Sequence, residues 1–211
     1  MKNCLAIDTS CHYLTVVAVK NGQAFSTFLP DCAMKHSVSI MGAIDETLQK
    51  ANLDLKDCDF FASVVGAGSF TGIRIGISVI KGFCLAYKKP SLPVTSFDVA
   101  SYNAIDTDKK KKLCLVDAMH DCYYVCGYDG EEVVLPPTYL SEEEILALAD
   151  EYALVACAEL PIGEKVSVAV VDPVVGLKNA VSALGEKNAF GDLEALYVRK
   201  SSAELNRTGN Q

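Results

Sequence analysis

The stretch Ser63–Tyr87, SVVGAGSFTGIRIGISVIKGFCLAY, sets the reading of the whole chain. It opens as an apolar run at Val64 and Val65, turns at Gly66 and Gly68, and continues as a long segment without proline. A strand therefore feeds a turn that feeds a helix, which is half of a βαβ unit. Ile73, Ile77, Ile80, Cys84 and Tyr87 recur at steps of three and four and make one apolar stripe for a sheet. Gly72, Gly76, Val79, Phe83 and Ala86 make a second stripe, and Arg74, Ser78, Lys81 and Lys88 make the polar one. Each glycine costs about 1 kcal/mol of helix propensity against alanine, so a close backbone approach should compensate for it. Two readings stay open: the helix is wedged inside its own domain, or its second stripe docks a helix of another subunit.

Composition narrows the classes. The chain has 211 residues, 50% apolar, enough for one good core or two small lobes. Asp8 interrupts the first apolar strand and only Lys2 precedes it, so neither a membrane span nor a signal peptide is expected, and the cytosol is the expected compartment. Nine cysteines scattered through apolar segments fit reduced, buried thiols better than a disulfide framework. A net charge of -8 argues against a stand-alone nucleic-acid binder, because phosphate contacts need clustered Lys and Arg. The one basic run, Lys109 to Lys112, reads as a solvated linker.

In chain order, Cys4–Ile7 reads as a buried strand, Asp8, Thr9 and Ser10 as a turn, and Leu14–Val19 as a strand ending in the hairpin turn Asn21-Gly22. Ala24–Phe28 completes a meander. Ser37 is the expected cap of the next helix, with Met34, Val38, Met41, Ile44, Leu48 and Ala51 on one stripe. Met41 with its small neighbours Gly42 and Ala43 suggests an adaptable packing surface. Phe60–Val65 is the strand before the opening segment, and Leu92–Ser96 a strand whose last serine caps a helix from Phe97 to Ile105. Shifted by 109 positions, Cys4–Val19 aligns with Leu113–Tyr128, and Asp8 falls on Asp117. Internal similarity at this spacing predicts two lobes on one plan, 1–106 and 107–211. In the second lobe, Val133–Leu135 reads as a strand and Ser141 with Glu144 as a capping box for a helix through Asp150. Leu154–Ala158, Val166–Val171 and Ala195–Arg199 read as strands, with a helix over Leu177–Lys187 and a polar tail.

The motifs exclude more chemistry than they assign. GAGSFTG at Gly66–Gly72 lacks the Lys and Ser/Thr of a P-loop and the spacing of a dinucleotide fingerprint, and Ser69 is not in a nucleophile elbow. Asp8 and Asp117 stand where actin-like folds put the aspartate that meets magnesium and nucleotide phosphates. Against that, neither turn carries a glycine that would let phosphate approach the backbone, so carboxylates satisfying turn amides are the favoured reading. Thr9 and Ser10 remain possible donors in a nucleotide-site remnant. His120, Cys122, Cys126 and Cys114 resemble metal spacing only loosely, and no metal is expected.

GAGSFTGIRIG at Gly66–Gly76 closely resembles the GPGSFTGLRIG signature of the bacterial TsaB (YeaZ) family of tRNA threonylcarbamoyladenosine biosynthesis proteins. AIDTS at Ala6–Ser10, KHS at Lys35–Ser37, VDA at Val116–Ala118 and LYVR at Leu196–Arg199 extend the match along the chain. The resemblance implies a degenerate, two-lobed actin-like ATPase (ASKHA, RNase H-like) α/β fold without a cofactor of its own. It implies a non-catalytic scaffold that pairs with the catalytic TsaD-type paralogue and recruits a TsaE-type ATPase. It also implies a homodimer when alone, contact with tRNA only through the complex, and no membrane. His36, Met41, Ser69, Gly72, Gly76, Val79 and Phe83 are the partner-binding residues this reading names. The alternative is an active actin-like ATPase or phosphotransferase using Asp8; a cysteine-based redox or metal protein is a third. The sequence departs from the family at Ala67, where the signature has proline, at Gly42, and in the second-lobe DAMHDCYY segment, which lacks the usual arginine and glutamate.

Overall fold

The computed structural model describes residues 2–198. The first sheet contains β1 (Cys4–Asp8), β2 (Leu14–Lys20), β3 (Gln23–Leu29), β4 (Phe60–Val64) and β5 (Ser91–Val94), in the order β3-β2-β1-β4-β5. Its β1–β3 part is an antiparallel meander, and β4 and β5 add parallel to β1. Asn21 and Gly22 both take positive φ, as the tight turn between β2 and β3 requires. Around it lie α1 (His36–Ala51), α2 (Phe70–Tyr87) and α3 (Ser96–Ser101).

The second sheet repeats this plan. It contains β6 (Lys111–Asp117), β7 (Cys122–Asp129), β8 (Glu132–Ser141), β9 (Tyr152–Ala156) and β10 (Val168–Val170), ordered β8-β7-β6-β9-β10. Asp8 and Asp117 end the equivalent strands β1 and β6, as the internal similarity predicts. α4 (Glu142–Leu148) follows β8, behind the expected Ser141–Glu144 capping box. Between β9 and β10, where the first lobe inserts α2, there is only a 3-10 turn at Pro161–Glu164. The last helix among the described residues is α5 (Pro173–Glu186), capped by the Asp172 carboxylate.

The first sheet is covered on both faces, which is why β1 and β4 are buried throughout. Leu5 and Ile7 point to the α1/α2 side with Ile40, Ile44, Ile73, Ile77 and Ile80. Cys4 and Ala6 point the other way, with Phe60, Leu177, Ala180 and Val181. α5 therefore crosses back to the first sheet, and the expected division at 106/107 does not hold for 173–186. Gly176 makes the crossing possible: a Cβ there would lie 2.0 Å from the Val99 carbonyl oxygen of α3.

Several local expectations are corrected. Lys35, not Ser37, precedes α1, and no side chain caps it. The buried face of α1 is His36, Ile40, Ala43, Ile44, Thr47 and Ala51, which leaves Met34, Val38 and Met41 outside. Thr95, not Ser96, caps α3, because Asp98 completes a capping box with it, and the helix ends at Ser101 rather than Ile105. Lys111 and Lys112 are not linker residues. They open β6, and the Lys112 ammonium donates to the Ser101 and Asn103 carbonyls at 2.7 and 2.6 Å, supplying donors at the end of α3. α4 stops at Leu148, α5 starts at Pro173, and 195–198 form no strand; Arg199 and the polar tail lie outside the described residues.

α2 has the length and composition of a membrane-crossing helix, with mean hydropathy 1.3, yet it carries Arg74 and Lys81 and lays Ile73, Ile77 and Ile80 on the sheet. Gly82 on its outer side has nothing within 4 Å of where a Cβ would sit. Gly82→Ala is expected to raise stability by about 1 kcal/mol through helix propensity alone, measured by urea denaturation. An unchanged midpoint would show that this turn of α2 is not helical in solution.

Candidate functional site

The GAGSFTG loop and the turn after β1 form one interlocked unit. Gly68 takes φ +146, and a Cβ on it would stand 2.2 Å from the Ser10 carbonyl oxygen, whose lone pair accepts the Ser69 N–H at 2.7 Å. One turn on, a Cβ on Gly72 would stand 2.0 Å from the Thr9 carbonyl oxygen, and the Thr9 hydroxyl donates to the Gly72 carbonyl at 2.7 Å. A Cβ on Gly76 would meet Thr9 Oγ1 at 2.6 Å and Ser63 Oγ at 3.1 Å. Ser96 completes the unit, its hydroxyl donating to the Ala67 carbonyl at 2.6 Å. The space opened by these glycines is filled by the chain's own Thr9–Ser10 turn. Gly72 and Gly76 are thus internal packing residues, and the wedge reading holds for them. Ser69 caps α2 by accepting the Gly72 N–H, so that amide is already satisfied.

Asp8 serves the same turn. Its Oδ1 accepts the Ser10 N–H at 2.8 Å and the Ser10 hydroxyl at 2.7 Å, while Oδ2 is buried without a partner. Burial lifts this carboxyl above its ordinary value of 3.8, and the Ser10 donors oppose the rise. The folded chain then holds the proton more tightly than the unfolded chain. The resulting stabilisation is full below about pH 4 and is lost as pH rises through the lifted value. Asp8→Asn, neutral throughout, is expected to gain stability on the wild type as pH rises from 4 to 8. Parallel urea-midpoint curves across that range would remove the argument.

Other sequence candidates fall elsewhere. His36 is buried, its Nε2–H donating to the Tyr13 carbonyl at 2.9 Å, so it braces the start of α1 rather than an outer surface. His120 sits in the β6–β7 turn between Met119 and Asp121, all three at positive φ, and not on a strand face with Cys122 and Cys126. Among the described residues no three His, Cys, Asp or Glu side chains are grouped to hold a metal. All nine cysteines are free. Burial pushes the Cys4 and Cys58 thiols up to about 12 and Cys126 up to about 11, which keeps them protonated and unreactive.

Outside the interlocked unit lies an apolar face. Met34 is 98% exposed, Val38 84%, Met41 48% and Leu85 84%. α1 and α2 both start beside the cleft between the lobes, where Met34 and Ile75 share its wall, and at their far ends Leu48 and Tyr87 border a second hollow. Val79 and Phe83 are half-buried between this face and the core, and Phe83 lies 5.7 Å from the Phe61 ring. Two residues of this region were not singled out from the sequence. Leu85 sits on the stripe of Arg74, Lys81 and Lys88, and its isolation among polar residues was the available signal. Tyr197 stacks on Phe70 at 4.6 Å and accepts the Arg74 Nε–H at 2.8 Å, a long-range contact that no local pattern announces.

Two lobes on one plan, each with an aspartate ending its leading strand, define an actin-like ATPase fold. YeaZ from Pseudomonas aeruginosa has the same fold, with a TM-score of 0.75 at 20% identity over 93% of this chain and 100% of that one. A P. aeruginosa protein described as similar to peptidase YEAZ gives 0.76 at 21% identity over 94% and 100%. The family model for TsaD, tRNA N6-adenosine threonylcarbamoyltransferase, matches residues 19–201. The tRNA threonylcarbamoyladenosine biosynthesis protein TsaB of Buchnera aphidicola is 32% identical over 109 residues, 52% of this chain and 51% of that protein. The tRNA N6-adenosine threonylcarbamoyltransferase of Staphylococcus haemolyticus is 34% identical over 106 residues, 43% of this chain and 31% of that enzyme. The matched region thus spans about half the length of the first relative and under a third of the second. The chain belongs to the TsaD family that this model describes, with the TsaB (YeaZ) members.

Proposed function

We propose that this chain is a non-catalytic partner subunit in the synthesis of N6-threonylcarbamoyladenosine in tRNAs that read codons beginning with A. In this reading the α1/α2 face docks a TsaD-type transferase, and the same face pairs two copies when the chain is alone. The assembled pair recruits a TsaE-type ATPase, and tRNA is met only through the complex. The observation that carries it is the exposed row of Met34, in the turn just before α1, and Val38 and Met41 on α1. Contiguous apolar side chains outside a well-packed core mark interaction surfaces. Methionines suit a surface that must fit both a copy and a relative. Of the residues named from the sequence, Met41, Val79 and Phe83 stay in the docking role, with Ser69 at its edge.

The subunit needs no cofactor of its own in this reading. The runner-up, phosphotransfer at Asp8, is disfavoured by the engagement of Asp8 Oδ1, Thr9 and Ser10 within the turn. The deciding experiment mixes the chain with the TsaD-type transferase of the same organism, followed by size exclusion with light scattering. A stoichiometric complex is expected. Separate elution at micromolar concentrations, together with magnesium-dependent ATP binding by the lone chain, would replace this reading with the runner-up.

A further inference from the structure

α2 presents a second exposed row, on a different stripe from the flank where Ile75 and Tyr87 border hollows that α1 also lines. Arg74, Ser78, Lys81, Leu85 and Lys88 follow one another along it at steps of four and three, and all are exposed. Its three cations thus recur every seventh residue, about 10 Å apart along the axis. The chain carries a net charge of -8, yet α2 contains no Asp or Glu. Among the described residues none of these three cations has an ion-pair partner, whereas Lys50, Lys56, Lys111, Lys165 and Lys187 each hold a carboxylate. The helix dipole accounts for Lys88 at the C-terminus, but not for Lys81 in the middle or for Arg74 near the N-terminus, where a cation is disfavoured. Arg74 is also held in place, its Nε–H donating to the Tyr197 hydroxyl at 2.8 Å. Between Lys81 and Lys88 stands Leu85, 84% exposed, and Gly82 leaves open space beside it.

We infer that this row of α2 is a docking seam for an acidic amphipathic helix of another protein, with carboxylates at seven-residue spacing opposite Arg74, Lys81 and Lys88 and an apolar side chain seated on Leu85 beside Gly82. The spacing is that of a coiled-coil seam, in which one set of positions sets the charge of the partner and the other its packing. A nucleic-acid backbone would use the cations and leave Leu85 idle; an acidic helix uses both. The row lies apart from Val38 and Met41, so its test does not bear on docking at α1. Lys81 and Leu85 make no contact that the fold depends on, and substitutions there keep it.

Fluorescence anisotropy on the full chain tests it with three labelled probes of about 21 units each. One is a helical peptide with Glu at every seventh position and Leu between, the second the same peptide with Lys for Glu, and the third a single-stranded uridylate. The Glu peptide is expected to bind saturably, more weakly as salt rises, and the other two not to bind. Lys81→Glu and Leu85→Ala should each weaken the Glu peptide at least about 10-fold, with unchanged urea midpoints. Absence of saturable binding by the Glu peptide, equal or tighter binding of the Lys peptide or the uridylate, or indifference to both substitutions would overturn the assignment.

Discussion

Gly72→Ala is expected to lower the stability of the chain by about 3 kcal/mol or more, read as a shift of the urea midpoint. The added methyl carbon would stand 2.0 Å from the Thr9 carbonyl oxygen, which belongs to the backbone and cannot turn aside. α2 must therefore move off β1, stretching the bond from the Thr9 hydroxyl to the Gly72 carbonyl and the Ser69 N–H bond to Ser10. Against a total of about 5–15 kcal/mol for a domain, that is a large share. Gly76→Ala should cost less, because the atoms it meets are the Thr9 and Ser63 hydroxyl oxygens at 2.6 and 3.1 Å, and side chains can shift. Equal midpoints for the two variants would mean that the Thr9–Gly72 approach is looser than described.

The second large effect concerns association. Val38→Asp combined with Met41→Asp is expected to weaken pairing with the TsaD-type transferase at least about 100-fold, and to abolish self-association, while the urea midpoint stays within about 0.5 kcal/mol. Both side chains are exposed in the isolated chain, so the change costs its fold little. In a dry interface each new carboxylate would be buried without a counter-charge. Val133→Asp with Val134→Asp adds the same charge to exposed positions of β8 and should leave pairing unchanged. Retained affinity in the α1 variant, measured by titration calorimetry, would exclude this face as the docking surface.

What the sequence disclosed was local or repeated. The strand–turn–helix of Ser63–Tyr87, the Asn21-Gly22 hairpin and the Asp8–Asp117 correspondence all depend on short-range pattern or self-comparison, and all stand in the structure. The first helix misled because it is apolar on two faces. Met34, Val38 and Met41 have the spacing of a core stripe, but the sheet takes Ile40, Ile44 and the polar Thr47, whose hydroxyl donates to the Ala43 carbonyl at 2.7 Å. Periodicity cannot rank two apolar faces when the partner strand, here β3 with Thr27, makes the choice. The glycine stripe on α2 was correctly read as a close approach, but the approaching backbone comes from Thr9, more than sixty residues earlier. The return of α5 and the Tyr197 contact with Arg74 join distant parts of the chain and leave no local trace.

The crossing of α5 has a consequence for synthesis. Lys2 donates to the Gly185 carbonyl at 3.2 Å, and Leu177, Ala180 and Val181 cover the side of the first sheet formed by Cys4, Ala6 and Phe60. While the chain grows on the ribosome, that side of β1 and β4 stays bare until residues 173–186 have emerged. Pairings so remote in sequence slow the final step of folding, and the uncovered strands are open to aggregation in the meantime. Nascent chains arrested before residue 173 should therefore bind trigger-type chaperones far longer than chains released after residue 190.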